Sequence, residues 1–386
     1  MGEKFYRYTW VEVNLDAISH NLNAFRNQLP EQTRIMAVVK ADGYGHGAVP
    51  VALEALRAGA SYLGVAILDE ALELRRAGIE APILVLGYTP PSFVEEAVNH
   101  NITLTVFDLD VISALDHATR RCQTSVKIHL KIDTGMGRIG VRTESEFLSL
   151  VSEISRSPFV EIEGVFTHFS CADEEDSAYS EEQHHTFLRV IQSLQQRIPL
   201  IHCNNSAAGI LFPKWGYNMI RLGISLYGQY PSAYTKGKGI ELQEAFSLKS
   251  RVAYVKDVPK ETAISYGATH KTVREATIAS IPIGYADGYS RALSNLGKAL
   301  VQGKEVPIVG RICMDQCMLD VTGISSCSVG EEVVLIGRQG DAAITVDDVA
   351  EWLQTINYEV TCMISKRVPR IYKKNGNVVW TKNYLL

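Results

Sequence analysis

No apolar run in this 386-residue chain is long enough to cross a bilayer, so no membrane-spanning segment is expected. The first ten residues, Met-Gly-Glu-Lys-Phe-Tyr-Arg-Tyr-Thr-Trp, lack the apolar core of a secretory signal, which points to a cytoplasmic location. Charge of one sign is not gathered into blocks: 38 Lys and Arg stand against 43 Asp and Glu, and the net charge of -5 is spread along the chain. Nucleic acid, which is bound by a concentrated basic patch, is therefore not an expected partner. The seven cysteines are odd in number and lie singly apart from Cys313 and Cys317. Neither a disulfide framework nor a zinc site follows from that pattern, and no metal is assigned. What remains is a globular protein of a reducing compartment, long enough for two domains with substantial cores.

Short apolar strands are expected near 35–40, 62–67, 83–87, 102–107, 126–132, 162–168, 199–203 and 219–222. Amphipathic helical patterns intervene, such as Ala48–Ala58, Asp69–Ala77 and Glu144–Ile154. Eight βα repeats over this length suit an α/β fold of the (β/α)8 TIM-barrel type. A doubly wound open sheet is the competitor, but it would usually be shorter or carry its nucleotide fingerprint at the first βα turn. Beyond about residue 240 the pattern changes to short, often alternating strands at Arg251–Val258, Ala276–Ile283, Leu300–Ile312, Met318–Val321 and Val333–Ile336. One helix is expected to start at Thr345, whose hydroxyl can cap the N–H groups that follow. The expected division is a barrel over 1–240 followed by a mainly β domain over 241–386. The early strand Trp10–Leu15 precedes the barrel series and is free to pair with the second domain.

Residues 36–47 read Met-Ala-Val-Val-Lys-Ala-Asp-Gly-Tyr-Gly-His-Gly. A β-branched strand runs straight into Lys40, and a glycine-rich loop follows. Burial lowers a lysine pKa and a strand end fixes its direction, which suits an amine that must act unprotonated. A structural lysine with a packed stem and an outward head fits the same segment. Gly135-Met136-Gly137-Arg138-Ile139-Gly140 matches G-x-G-x-x-G, yet it sits in the fifth repeat and holds an arginine, which suits a carboxylate clamp better than a dinucleotide. The acidic run Asp173–Asp176, with Glu181, Glu182, His184 and His185 after it, can be read as a metal cluster or as an exposed loop entering a helix N-terminus; the second is commoner.

His168 ends the sixth strand, Ser206 follows the seventh and Arg221 ends the eighth. Together with Lys40 and Arg138 they place several functional side chains at strand C-terminal ends, where barrel active sites form. A phosphate site is expected after the seventh and eighth strands, at Ser206 and the backbone of Gly223 and Ile224. A phosphorylated cofactor combined with a strand-end lysine points to pyridoxal 5'-phosphate (PLP). The second domain adds tyrosines beside glycines in Ser265-Tyr266-Gly267 and Gly284-Tyr285-Ala286. It also contributes Cys313-Met314-Asp315-Gln316 and Ile356-Asn357-Tyr358-Glu359.

These segments together resemble the bacterial PLP-dependent alanine racemases of the type found in bacilli, over essentially the whole chain. The resemblance implies an isomerase that interconverts L- and D-alanine and supplies D-alanine for peptidoglycan. It implies Lys40 as the PLP lysine, Tyr266 as the second catalytic base and Arg221 as the residue facing the pyridine nitrogen. His168 then supports Arg221, and Arg138 lies near the cofactor phenolic oxygen and the substrate carboxylate. Tyr44, Ser206, Gly223, Ile224 and Tyr358 fall at phosphate-binding positions. Met314 and Asp315 fall at substrate contacts donated by a partner subunit, so a homodimer with active sites at the subunit interface is implied. Lys131 matches a lysine that such proteins often carry as a carbamate. Tyr285 and Tyr358 would narrow the entrance, with Asp173, Arg291 and Arg311 along the approach. Amino-acid decarboxylases of the same fold carry a glutamate where Arg221 stands and a Gly-rich phosphate loop where Ser206 stands. A non-catalytic PLP-binding barrel would lack residues 241–386. A serine or broad-specificity racemase remains open, since a hydroxymethyl group adds little bulk.

Overall fold

The βα alternation becomes eight parallel strands in a computed structural model, which describes residues 4–194 and 197–386. Residues 1–3, part of the N-terminal segment read above, and residues 195–196 lie outside the described residues. The strands are β1 (Arg34–Val38), β2 (Tyr62–Val65), β3 (Ile83–Val85), β4 (Thr103–Val106), β5 (Val126–Lys131), β6 (Val160–Phe166), β7 (Leu200–His202) and β8 (Met219–Leu222). Their order is β7-β6-β5-β4-β3-β2-β1-β8, all parallel. Helices follow the first seven strands, among them Ala48–Arg57, Leu109–Cys122 and Ala178–Gln192. Strands covered on both faces need apolar side chains on both, and β2, β3, β4 and β8 are buried at every position. Among the described residues no strand ladder forms between β7 and β8. Asn218 bridges this seam by accepting from the Ile201 N–H (2.8 Å) and donating to the Pro199 carbonyl (2.7 Å), and the Arg221 N–H donates to the Asn204 carbonyl (3.0 Å). This unit comprises residues 17–43 and 48–243.

The other unit gathers the N-terminal residues up to Asp16, the tetrapeptide Tyr44–Gly47 and residues from Glu244 onward. The strand Thr9–Asn14 pairs antiparallel with Phe246–Arg251 and parallel with Arg370–Lys374, at the middle of a large mixed sheet. Val11, Val13, Leu248, Val333, Val334 and Leu335 belong to its core and are fully buried. A smaller sheet joins Tyr254–Val258, Ala276–Ile281 and Cys317–Asp320. Thr345 caps the helix Val346–Leu353 through a reciprocal bond with Asp348, where a start was expected.

Two expected strands are broken. The Arg251–Val258 stretch divides at Val252–Ala253, because the Val252 N–H donates to the carbonyl of Glu331, just ahead of the strand Glu332–Gln339 of one sheet, and the Ala253 N–H to that of Ser280 in the other. The Leu300–Ile312 stretch is a hairpin of Lys298–Val301 and Lys304–Pro307. Its turn residues Gln302 and Gly303 both have positive φ (52° and 73°), as a two-residue hairpin loop requires.

Candidate active site

β1 ends at Val38, two residues before Lys40, and the chain then enters an unusual turn. Ala41, Asp42, Gly43 and Tyr44 all have φ between 52° and 61°, in the left-handed region. For residues other than glycine each such position costs roughly 1–2 kcal/mol, so the surroundings must over-determine it. Asp42 Oδ1 accepts the Ala48 N–H (3.0 Å), and the Gly43 N–H donates to the Val39 carbonyl (2.8 Å). The Ala41 N–H donates to Glu70 Oε1 (2.6 Å), while Glu70 Oε2 takes the Ala66 N–H (2.7 Å). The Tyr227 hydroxyl donates to the Val38 carbonyl (3.0 Å), fixing the strand end from behind. Lys40 therefore opens a braced turn rather than ending a strand.

Arg221 on β8 is 3% exposed and lies over the Phe166 ring at 5.3 Å. Its Nη1 donates to His202 Nδ1 (2.8 Å) and the His202 carbonyl (3.1 Å). Its Nη2 donates to the Thr167 carbonyl (2.8 Å), the Cys203 carbonyl (2.8 Å) and His168 Nδ1 (3.1 Å). Every one of these acceptors is uncharged. Burial, with Arg138 as a further repulsion, brings the guanidinium down to about 10. Desolvation and then Arg221 push His168 well below the ordinary histidine value, which keeps it a neutral acceptor. Arg138, Lys131 and Lys40 add to that effect, so their charges all reach His168.

Lys131, on the inward face of β5, is equally buried and donates to the Ile132 carbonyl (2.7 Å). Burial first and then Arg221 lower its ammonium to about 7, so a large share is free amine near neutral pH. The Gly135–Gly140 segment opens no helix. Asp133 Oδ1 accepts the Gly135 and Gly137 N–H groups (3.1 and 3.0 Å), and the next helix starts at Glu144 behind its own Thr143 cap. A dinucleotide turn is excluded by that geometry, and Arg138 is left on an exposed loop. The acidic run ahead of Ala178–Gln192 likewise serves the helix start: Asp176 Oδ1 accepts the Ala178 N–H, and Ser177 bonds Glu181. Asp173 contributes its carbonyl to the Ser232 hydroxyl (2.6 Å).

Ser206 is the first residue of the helix Ser206–Leu211, and its Oγ receives the Gly223 N–H (3.0 Å) and the Ser225 N–H (3.4 Å). Ile224 begins the 3-10 turn Ile224–Tyr227 directly after β8. A hydroxyl and clustered backbone N–H groups are a donor set for a phosphate. The same unit presents a buried guanidinium with uncharged partners, which suits an unprotonated ring nitrogen, and a lysine in a fixed turn. A phosphorylated pyridine aldehyde such as PLP fits this set of groups.

The second unit holds the remaining expected residues. Tyr44 and Tyr358 bring their rings to 6.3 Å between centroids. Gly45 has φ +82°, and a Cβ there would lie 2.1 Å from the Thr361 carbonyl oxygen; Arg370, 1% exposed, donates to the Gly45 carbonyl. Tyr266 sits in a turn where Ser265, Gly267 and Ala268 have positive φ, and it is 69% exposed on this chain. Ser265 Oγ donates to the Arg311 carbonyl (2.5 Å), which joins Arg311 to the same turn. Met314 and Asp315 are half exposed. The Tyr285 and Ala286 N–H groups donate to the Cys313 and Met314 carbonyls (3.1 and 3.0 Å). Arg367 pairs with Asp315 (2.7 Å). Arg291 begins the short turn Arg291–Leu293.

Several supporting residues escape a sequence reading. Asp42 and Glu70 brace the lysine turn. Asp287, fully buried, takes both terminal nitrogens of Arg7 (2.7 and 2.9 Å) and the Gly284 N–H (3.1 Å) beneath Tyr285. His202 and His129 stand on β7 and β5 with His202 Nε2 and His129 Nδ1 2.9 Å apart; His129 Nε2 is 3.3 Å from Glu163 on β6. The alternation of His129 with Lys131 along β5 was the available signal, since both point to one face.

Comparison with known proteins places this geometry in context. Residues 13–231 match the family model "Alanine racemase, N-terminal domain", and residues 245–372 match "Alanine racemase, C-terminal domain". The chain is 52% identical to an alanine racemase of Halalkalibacterium halodurans over 392 aligned residues, covering 100% of both chains. It is 50% identical over 376 residues to "Alanine racemase 2" of Oceanobacillus iheyensis, covering 97% of this chain and 95% of that one. The crystal structure of alanine racemase from Bacillus anthracis with bound L-Ala-P superposes with a TM-score of 0.95 at 44% identity, over 99% of each chain.

Proposed function

The chain belongs to the alanine racemase family, and we propose that it interconverts L- and D-alanine with two opposed bases, Lys40 and Tyr266. Racemisation needs the Cα proton to leave one face and return on the other, so one base cannot serve both. Lys40 takes the proton of D-alanine and Tyr266 that of L-alanine. A phenol of ordinary pKa, about 10, is a weak base at neutral pH, so positive charge must stand close to it. PLP, when bound, withdraws the electrons left at Cα. Lys40 would hold its aldehyde carbon, Ser206, Gly223, Ile224, Tyr44 and Tyr358 its phosphate, and Arg221 its ring nitrogen. Arg138 orients the substrate carboxylate.

One observation carries this reading against a decarboxylase: Arg221 is a buried cation whose contacts are all uncharged. A carboxylate at this place would keep the ring nitrogen protonated and favour long-lived carbanions and side reactions; a guanidinium disfavours that proton. Lys131, with its free amine, is suited to a carbamate that pairs with Arg138. Tyr266, Met314 and Asp315 serve the site of a second copy, which makes the active form a homodimer. Its D-alanine would feed peptidoglycan synthesis.

The test is a coupled assay of the purified protein on L-alanine, D-alanine and L-serine, before and after borohydride treatment with PLP present. Conversion of both alanine enantiomers, abolished by borohydride, is expected. Decarboxylation, or conversion of serine alone, would overturn the assignment. The carbamate predicts a 13C resonance from labelled bicarbonate that disappears in Lys131→Ala.

A further inference from the structure

We propose that Glu163 is a positioning residue for Arg221: its carboxylate fixes the tautomers of His129 and His202, so that His202 offers Arg221 a lone pair. The proposal deepens the racemase reading and rests on it for the role of Arg221. Four buried side chains form a row across the barrel. Arg221 is 3% exposed, His202 and His129 0%, and Glu163 7%.

Donor and acceptor rules allow one assignment of protons along this row. A guanidinium only donates, so His202 Nδ1, 2.8 Å from Arg221 Nη1, must accept. A neutral imidazole has a single N–H, which then lies on His202 Nε2 and points at His129 Nδ1, 2.9 Å away. His129 Nδ1 therefore accepts, and its own proton lies on Nε2, directed at Glu163 Oε2 at 3.3 Å. An ionised carboxylate only accepts, and so closes the row. Both rings are neutral: burial pushes the proton affinity of each below the ordinary histidine value.

Glu163 is itself held in place. Its Oε1 takes Lys127 Nζ (2.8 Å), and its Oε2 takes the Tyr62 hydroxyl (2.8 Å), which also lies 2.9 Å from the Thr103 hydroxyl. Burial would raise its pKa, but the bonds from His129, Lys127 and Tyr62 outweigh that and hold it down at about 2. Were the row reversed, His202 would aim an N–H at the guanidinium where both side chains are buried from the solvent that would screen the repulsion. Arg221 would then leave its present contacts.

The test is 15N-histidine NMR of the holoenzyme at neutral pH, with Glu163→Gln beside the wild type. In the wild type both His129 and His202 should be neutral with the proton on Nε2. In Glu163→Gln, Lys127 claims the amide oxygen and the NH2 group turns toward His129 Nε2. The Nδ1–H tautomer should then appear at both rings. With it, kcat should fall roughly tenfold, the loss expected for one hydrogen bond to a charged group, while KM stays within about twofold. Lys127→Met, which keeps the carboxylate, should retain the wild-type tautomers. An Nδ1–H signal at either ring in the wild type would overturn the proposal even if Glu163→Gln fails to fold. Unchanged tautomers in Glu163→Gln, or reversed tautomers with full kcat, would also overturn it. A wild type that racemises no alanine would end the functional reading and leave the tautomer result standing.

Discussion

Under the proposed function, Arg221 is the residue on which the chemistry divides. A carboxylate in its place would sit among His202, His168 and three carbonyls, all acceptors, and would also invert the local charge. Arg221→Glu should therefore lower alanine racemisation by roughly hundredfold or more, since disrupting a buried charged network costs about 3 kcal/mol or more. Pyruvate formation by transamination should rise at the same time. Parallel racemase and pyruvate assays check this, and wild-type rates in both would contradict the role given to Arg221. The candidate site residues were legible because their types interrupt apolar runs: Lys40 and His168 stand two residues past the ends of β1 and β6, and Arg221 stands within β8. Their supports were not. His202 reads as one more polar residue on a barrel strand until its contact to His129 is seen. Asp287 looks like a turn residue until Arg7, 280 positions away, closes on it.

At the scale of elements, the turn after β1 concentrates the strain. Its glycines were legible as a tight loop, but not its four consecutive left-handed residues, two of which are Ala41 and Asp42. Local pattern could not supply the Asp42 and Glu70 bonds that hold it, because Glu70 lies 29 residues from Ala41. Asp42→Ala should leave the fold largely intact, costing about 1 kcal/mol for one lost hydrogen bond, yet lower kcat by releasing Lys40. Thermal unfolding and kinetics on one preparation separate the two effects; equal loss of both would place Asp42 in stability alone. Gly45→Ala should be far more severe. The new Cβ would lie 2.1 Å from the Thr361 carbonyl oxygen, at φ +82°, and a large drop in Tm or insoluble protein is expected. The broken strands at Val252–Ala253 and Gln302–Gly303 were missed for a related reason. A chain that changes sheets, or turns tightly without Asn-Gly, keeps an unbroken apolar pattern.

For the whole molecule, stability should depend on Glu163 in acid. Its folded pKa of about 2 lies below the unstrained value of 4.5, so the unfolded state binds more protons as pH falls. The stabilisation is complete above about pH 4.5 and is lost as pH drops toward 2. Denaturant midpoints measured between pH 6 and 2.5 should fall less steeply in Glu163→Gln than in the wild type; parallel slopes would contradict the assigned pKa. The (β/α)8 repeat and the β-rich remainder were visible in the alternation of strand and helix patterns. The insertion of Tyr44–Gly47 into the second unit was not, because it rests on bonds from Arg370 to the Gly45 carbonyl, 325 positions apart.

In the proposed mechanism two different side chains move the Cα proton, one on each face. It is tested by Tyr266→Phe in D2O, following deuterium entry at Cα of L-alanine and of D-alanine separately. Exchange from L-alanine should be lost while exchange from D-alanine, assigned to Lys40, persists. Undiminished exchange from L-alanine in Tyr266→Phe would contradict it.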